Sequence, residues 1–391
     1  MRIRRCAFLF VELRERKVFD LERLLKGETG LANIREWFAL APHLENEVRL
    51  SIEELKILEG FSPTDWTSHL GSMPADELNT VNQLIEKGIL IMEGSGEASR
   101  MDAVVRDTHW CGLPAVMHRF TRWHGVNTNE EERRFDEETD QRFLERLGSA
   151  PSVVQERTST DSRQKLPRPA PTSLDRLLSS RATCRNFDNL HALSYEDFAS
   201  TLYRVFGARA AAEIAPGMPI LKRSCPSAGG LHPTEAYLLV QNVNGVGPGL
   251  YHYHPIDHAL EPLRALDRQV AREHVERLIA GQQHFFDVHV LVVLASRFHR
   301  TFWKYRNHAK AYRAVILDAG HLSQTLYLTA TELGLGVFVT AAVNEVDIEH
   351  AFGLDPLQEG PLAVCGFGVR AEARQELEFG PLGALWPDAK R

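Results

Sequence analysis

The sequence predicts an α+β fold: an antiparallel-leaning sheet flanked by helices, preceded by a small winged-helix-like module. Three observations predict it. At 391 residues the chain exceeds one ordinary hydrophobic core. Residues 148–171 are rich in Ser, Thr, Pro and charge and poor in large apolar side chains, the composition of a linker. Beyond it, helical and strand periodicities alternate, as in helices packed on a sheet. The expected organisation is an N-terminal winged-helix-like module at 1–147, a linker at 148–171 and a second domain at 172–391.

In the first module, residues 5–12 and 17–20 read as the strands of a small hairpin. Ser51 and Glu54 form a capping box ahead of Ile52, Leu55 and Leu58, with Gly60 as the stop. Leu78, Val81, Leu84 and Ile85 share one face of a helix over 75–87, which Gly88 ends before the strand-like Ile89 to Met92. Two helices, a glycine stop and a short apolar strand suggest a winged helix. Past the linker, Thr172 and Asp175 cap a helix bearing Leu174, Leu177 and Leu178. Ser194 and Asp197 cap another, with Phe198, Leu202, Val205 and Phe206 inward and Gly207 closing it. Strands follow at 235–241 and at 249–254, the latter turning through Pro255 to Asp257 into another strand. The β-rich apolar run at 288–295 suits a central strand. Residues 311–333 form a long helix, apolar on most faces and so expected to be buried, and 362–369 a last core strand.

Apolar content of 43% with 25% charged residues fits a soluble globular chain, and no apolar stretch reaches spanning length. A net charge of -7 and a pI of about 6.2 give no general attraction to nucleic acid or acidic membranes. The first hundred residues carry more Asp and Glu than Lys and Arg, which opposes a DNA-binding role for the winged-helix pattern. Docking a peptide or supporting a dimer suits it better. Five scattered cysteines without paired spacing fit a reducing compartment. Arg2, Arg4 and Arg5 mimic an export signal, but the apolar run at 6–11 is short and 12–17 is charged. A cytoplasmic protein is expected. His109, Cys111, His118 and His124 lack metal-finger spacing, and His252 with His254 have no third ligand, so no metal site is expected.

Three stretches carry candidate chemistry. Arg181, Thr183 and Arg185 set two guanidinium forks around a hydroxyl, which suits a phosphate. Two solvated arginines at a helix end would have the same spacing. Pro226, Ser227, Ala228, Gly229 and Gly230 form a loop of small residues between Arg223 and His232. Without Cβ atoms the glycines let backbone approach a flat ligand, and Ser227 adds a hydroxyl. An ordinary Pro/Gly turn before a strand shares that composition. Lys304 and Tyr305, beside Phe302 and Trp303, offer two proton-transfer groups for an aromatic-walled cleft, where desolvation would lower the lysine pKa. A mixed-polarity surface segment fits the same residues.

Taken in order, four blocks between about Leu174 and Arg370 resemble the nitroreductase superfamily, specifically its SagB-type branch of peptide-maturing FMN dehydrogenases. They are Arg-x-Thr-x-Arg-x-Phe at 181–187, Pro-Ser-Ala-Gly-Gly-Leu-His-Pro at 226–233, Gly-Leu-Tyr-His-Tyr at 249–253, and a block from Lys304-Tyr305 to Gly336. The last includes Tyr312, Arg313, Gly320, His321, Gln324 and Gly334. The resemblance implies an FMN-dependent nitroreductase-like fold at 172–391 and a homodimer with FMN between its subunits. It places Arg181, Thr183 and Arg185 at the FMN phosphate and ribityl oxygens, and Pro226, Ser227, Ala228 and Gly229 along the isoalloxazine. It gives Gln324 a polar cofactor-side position and brings the amides of Ala341 and Ala342 towards flavin N5 and O4. Lys304 and Tyr305 match the family's proton-abstracting dipeptide. Thr183 stands where Ser is usual, Thr325 where Asn is common, Ala341 and Ala342 where Gly is common, and Arg306 where Gly often follows.

The function implied is oxidation of a ribosomally made precursor peptide, azoline rings becoming azoles or a similar backbone two-electron oxidation, alongside other peptide-maturation enzymes. Two alternatives remain. One is an NAD(P)H-dependent reductase of a dehydroamino acid, enone or nitro group. The other is a non-catalytic docking subunit of a maturation complex.

Overall fold

The computed structural model of the chain describes residues 2–68, 73–94, 96–129, 140–373, 375, 376 and 378. Its first elements are β1 (Ile3–Arg5), β2 (Phe10–Phe19), α1 (Leu21–Leu25), β3 (Leu31–Leu40), β4 (Val48–Leu50), α2 (Ile52–Leu58), α3 (Ala75–Glu86), β5 (Leu90–Met92), α4 (Gly96–Asp107), α5 (Gly112–Phe120) and α6 (Asp140–Leu147). Residues 148–171 follow, all exposed, with no strand or α-helix. Next come α7 (Ser173–Ser180), α8 (Tyr195–Phe206), β6 (Ala210–Glu213), β7 (Pro219–Lys222), β8 (Thr234–Val240), β9 (Gly249–His254), β10 (Ala259–Ala265) and α9 (Arg268–Leu278). The chain continues through β11 (Val290–Arg297), α10 (Phe298–Phe302), α11 (Ala311–Glu332), β12 (Gly336–Thr340), α12 (Glu345–Phe352) and β13 (Glu359–Gly368).

The large sheet has the order β10-β9-β8-β11-β13-β12 and is antiparallel throughout. Period-two alternation explains how β11, a nearly continuous apolar run, lies inside it. Val290, Val292 and Leu294 join one core with α8 and α11, while Leu291, Val293 and Ala295 join another with α9 and α12. Thr172 with Asp175 makes the expected capping box on α7, and Ser194 accepts from Asp197 N–H at the start of α8. Gly207 closes α8 without a left-handed turn. A Cβ there would lie 2.6 Å from both the Tyr203 ring and its carbonyl, so close approach is what requires glycine.

Two expectations need correction. The N-terminal hairpin is not 5–12 with 17–20: β2 pairs with β3 from Phe10–Leu40 to Phe19–Leu31, and β1 pairs with β5. Residues 13–16 are a solvated strand rather than a turn. The reversal comes later, where Asp20 caps α1 and Gly27 and Gly30 adopt positive φ. Secondly, α11 is not covered on most faces. Arg313, Ile316, Leu317, Gly320, His321 and Gln324 form an exposed stripe along it. The order α2, α3, glycine, β5 is present as expected, with the Ser51–Glu54 capping box formed and Gly88 at φ +71°. Among the described residues no helix is long and apolar enough to cross a membrane, and no His/Cys/Asp/Glu group could hold a metal ion. His252 instead pairs with Glu261, and His254 with Asp257.

Candidate active site

The small-residue loop runs from β7 to β8 and is pinned to α11 by one carboxylate. Ser227 Oγ donates to Asp318 Oδ2, and the Ala228 N–H donates to Asp318 Oδ1 at 3.2 Å. Ser227 Oγ also accepts from the His232 N–H at 2.9 Å. Its hydroxyl is thus committed to holding the loop. Cys225 Sγ lies 3.0 Å from Thr325 Oγ1, two helical turns further along α11. Beneath the loop, buried Arg223 donates to the Thr234 carbonyl at 3.0 Å and lies 3.7 Å from Glu235. Burial pushes the Asp318 carboxyl above its usual range, and the Ser227 and Ala228 donors offset part of that. Sequence reasoning missed Asp318. The signal was a lone carboxylate one turn before Leu322 on a helix face whose period is otherwise apolar.

Gly229 and Gly230 have φ of +63° and +68°. A Cβ on Gly229 would lie 2.7 Å from Tyr305 Oη and 2.9 Å from Lys304 Nζ. Two stretches far apart in sequence therefore meet, with the missing Cβ as the point of contact. Lys304 and Tyr305 continue the turn of α10, both N–H groups pointing to the Thr301 carbonyl at 3.2 and 3.1 Å. Lys304 Nζ sits 5.6 Å from the Tyr305 ring centroid. The expected aromatic-walled cleft is not formed: Phe302 turns into the core, Trp303 is exposed, and Lys304 lies at an open mouth with Tyr305 half-buried. The helix register explains this, since Phe298 and Phe302 share the inward face.

The segment 181–187 is extended, with Ala182, Cys184 and Asn186 buried and Arg181, Thr183 and Arg185 half-buried. Period-two alternation puts those three on one side. The Cys184 N–H donates to Val337 O of β12 at 2.9 Å, so the segment lies along that edge strand. Thr183 Oγ1 is 2.9 Å from Tyr327 Oη, and the Arg181 guanidinium carbon is 5.2 Å from the Tyr327 ring centroid. Arg185 and Asn186 N–H groups donate to Glu378, at 2.7 and 3.1 Å. A cavity of about 1140 Å³ opens beside Arg185, lined also by Arg268, His284 and Arg370. It takes in neither the small-residue loop nor Lys304, so the contacts above locate the site better than the cavity does.

Asp318 and Tyr327 leave opposite flanks of α11, at about 100° per residue, and are separated along its axis by about 14 Å at roughly 1.5 Å per residue. The exposed stripe bearing Gln324 lies between these flanks. Ala341 is exposed just past β12, and Ala342 half-buried. The Ala342 N–H donates to Thr340 Oγ1 at 3.1 Å, and its carbonyl accepts from Gln282 at 2.7 Å. The arrangement suits an elongated ligand: a cationic, hydroxyl-bearing end at Arg181 and Thr183, and a flat, backbone-lined end at Gly229 beside Lys304 and Tyr305.

Residues 178–369 match the model of the Nitroreductase family. A protein of Methanocaldococcus jannaschii named as a nitroreductase is 32% identical over 151 residues, 38% of this chain and 72% of that protein. The Escherichia coli microcin B17-processing protein McbC is 29% identical over 192 residues, 47% of this chain and 65% of McbC. The trifolitoxin-processing protein TfxB of Rhizobium leguminosarum bv. trifolii is 27% identical over 144 residues, 37% of this chain and 38% of TfxB. The chain thus spans less than two thirds of each of the two processing proteins. With the matched region enclosing the antiparallel sheet and the loop-to-helix contacts described above, the chain belongs to the nitroreductase family.

Proposed function

We propose that the chain is a cytoplasmic, FMN-dependent oxidoreductase that acts on a ribosomally made precursor peptide, oxidising azoline rings to azoles or making a similar two-electron oxidation. The observation that carries this reading is the contact of the Gly229 loop with Lys304 and Tyr305 across a missing Cβ. Two relatives named for processing microcin B17 and trifolitoxin support the peptide substrate class. The donor set fits FMN. Arg181, Thr183 and Arg185 would hold its phosphate and ribityl oxygens, and Pro226, Ser227, Ala228 and Gly229 would line the ring. Gln324 and the Ala341 amide would meet its polar edge, while the Ala342 N–H stays on Thr340. Bound FMN supplies the hydride acceptor, with oxygen as the terminal oxidant.

In this reading Lys304 or Tyr305 would take the azoline Cα proton, bound FMN would supply the acceptor for the hydride of the adjacent ring carbon, and the ring would gain its second double bond. Asp318 holds Ser227 and Ala228 so that the loop backbone keeps its place opposite those two side chains. A homodimer completes the site, supported by the exposed Ile316 and Leu317 on α11 and Val339 on β12. All five cysteines are free and four are buried, which supports a reducing compartment. Residues 172–391 would be the catalytic domain and 1–147 the peptide-docking module. The test uses a synthetic peptide carrying one thiazoline, with loss of two hydrogens followed by mass spectrometry. Lys304→Ala should keep its FMN and lose turnover by about 100-fold or more, the scale of general acid–base catalysis. Normal turnover in that variant would remove Lys304 from the chemistry.

A further inference from the structure

The corner joining α4 to α5 packs directly onto the segment that carries Lys304 and Tyr305. Trp110 is fully buried there, its ring 4.7 Å from that of Phe298, 4.8 Å from Phe302 and 5.7 Å from Tyr312. Its Nε1–H donates to the Leu357 carbonyl at 2.8 Å. In the last turn of α5, His118 lies 2.8 Å through Nε2 from the Pro356 carbonyl and 3.0 Å through Nδ1 from Tyr312 Oη. A carbonyl only accepts, so Nε2 carries the proton and Nδ1 accepts from the tyrosine hydroxyl. Burial pushes the His118 pKa down to about 3, which keeps the ring in that neutral form. Just before Trp110, the His109 carbonyl accepts from the Asn307 N–H at 3.0 Å. His109 and Asn307 have φ of +60° and +53°, a region that non-glycine residues hold only where their surroundings impose it.

Residues 303–310 are therefore fixed at three points by one element from the other end of the chain. Trp110 grips Phe298 and Phe302 before them, His109 holds Asn307 within them, and His118 holds Tyr312 after them. Tyr305 packs partly buried against the same cluster. The segment's other described hydrogen bonds run only to its immediate neighbours, such as Lys304 and Tyr305 N–H to Thr301. We propose that residues 107–118 are a positioning element for the Lys304–Tyr305 pair, with Trp110 and His118 as positioning residues. This rests on the reading of that pair as the proton-transfer groups. It makes the second half of the N-terminal module part of the reaction machinery, in addition to any docking of peptide.

The test compares His118→Phe and Tyr312→Phe with the unaltered protein and with Leu263→Ala, whose side chain is exposed on β10, away from this corner. Tyr312→Phe removes only the hydroxyl and guards against a His118 variant that fails to fold. Hydrogen exchange by mass spectrometry reports order over 303–310, absorbance reports bound flavin, and the thiazoline peptide reports turnover. Both variants should raise exchange over 303–310 severalfold, leave the large sheet and the flavin content unchanged, and lower kcat by about 10- to 100-fold with KM little altered, the scale for a misplaced catalytic group. Leu263→Ala should do none of these. Unchanged exchange over 303–310, a rise spread evenly through the sheet, or unchanged kcat would overturn the proposal. If Lys304→Ala turns over normally, the parent reading falls instead, and the exchange result still decides whether this corner holds the segment.

Discussion

At Gly229 the absence of one methyl group allows two parts of the site to touch. Gly229→Ala would cost about 1–2 kcal/mol from its positive φ alone. Its new Cβ would also push on Tyr305 Oη and Lys304 Nζ. Exposed Lys304 can swing away, whereas half-buried Tyr305 has less room. The variant should fold, melt a few degrees lower and lose at least about tenfold in turnover. Full activity with the loop intact would show that the contact does not matter to the reaction. The glycine pair and the Lys-Tyr dipeptide were both legible as types, because their chemistry is local. Their meeting was not, since it depends on Asp318, a carboxylate whose role appears only once α11 faces the loop.

Among the elements, α11 carries the most consequence. It anchors the small-residue loop through Asp318, faces Arg181 and Thr183 through Tyr327, and leaves Ile316 and Leu317 exposed between those flanks. Its length and end were legible from the apolar run and Gly334. Its exposed stripe was not, because an apolar helix face looks the same whether its cover comes from the same chain or another. Leu317→Lys places a charge in that stripe without touching the core. Sedimentation should show a dimer for the unaltered protein and a monomer with reduced flavin for the variant. An unaltered protein that is already monomeric, or a variant that stays dimeric and fully loaded, would contradict the dimeric site. By contrast, β11 was legible because a strand buried on both faces must be apolar along its length. The β2–β3 hairpin was not, as its exposed charges carry no inward period.

Over the whole molecule, histidines held neutral by burial, complete at His118 and partial at His232 and His284, tie stability to pH. Burial pushes His118 down to about 3, and His232 and His284 to about 4. Unfolded, each would take up a proton near pH 6.5, so between that value and the folded ones the unfolded chain binds more protons. Their contribution is fully present above about pH 6.5 and is lost as the pH falls. For fully buried His118 the slope approaches about 1.4 kcal/mol per pH unit. Urea midpoints at pH 7 and pH 5 should differ less in His118→Phe than in the unaltered protein; an equal difference would show that His118 is accessible to protons in the folded state. The α+β class and the fully exposed stretch at 148–171 were legible from composition and period. The packing of α4 and α5 onto α10 and α11 was not, since contacts such as Trp110 to Leu357 join residues far apart in the chain. Whether this scaffold holds FMN is decided by the absorbance spectrum of the purified protein, with the released cofactor identified by chromatography. One FMN per subunit is expected; a colourless protein that also fails to take up added FMN would overturn the flavin reading.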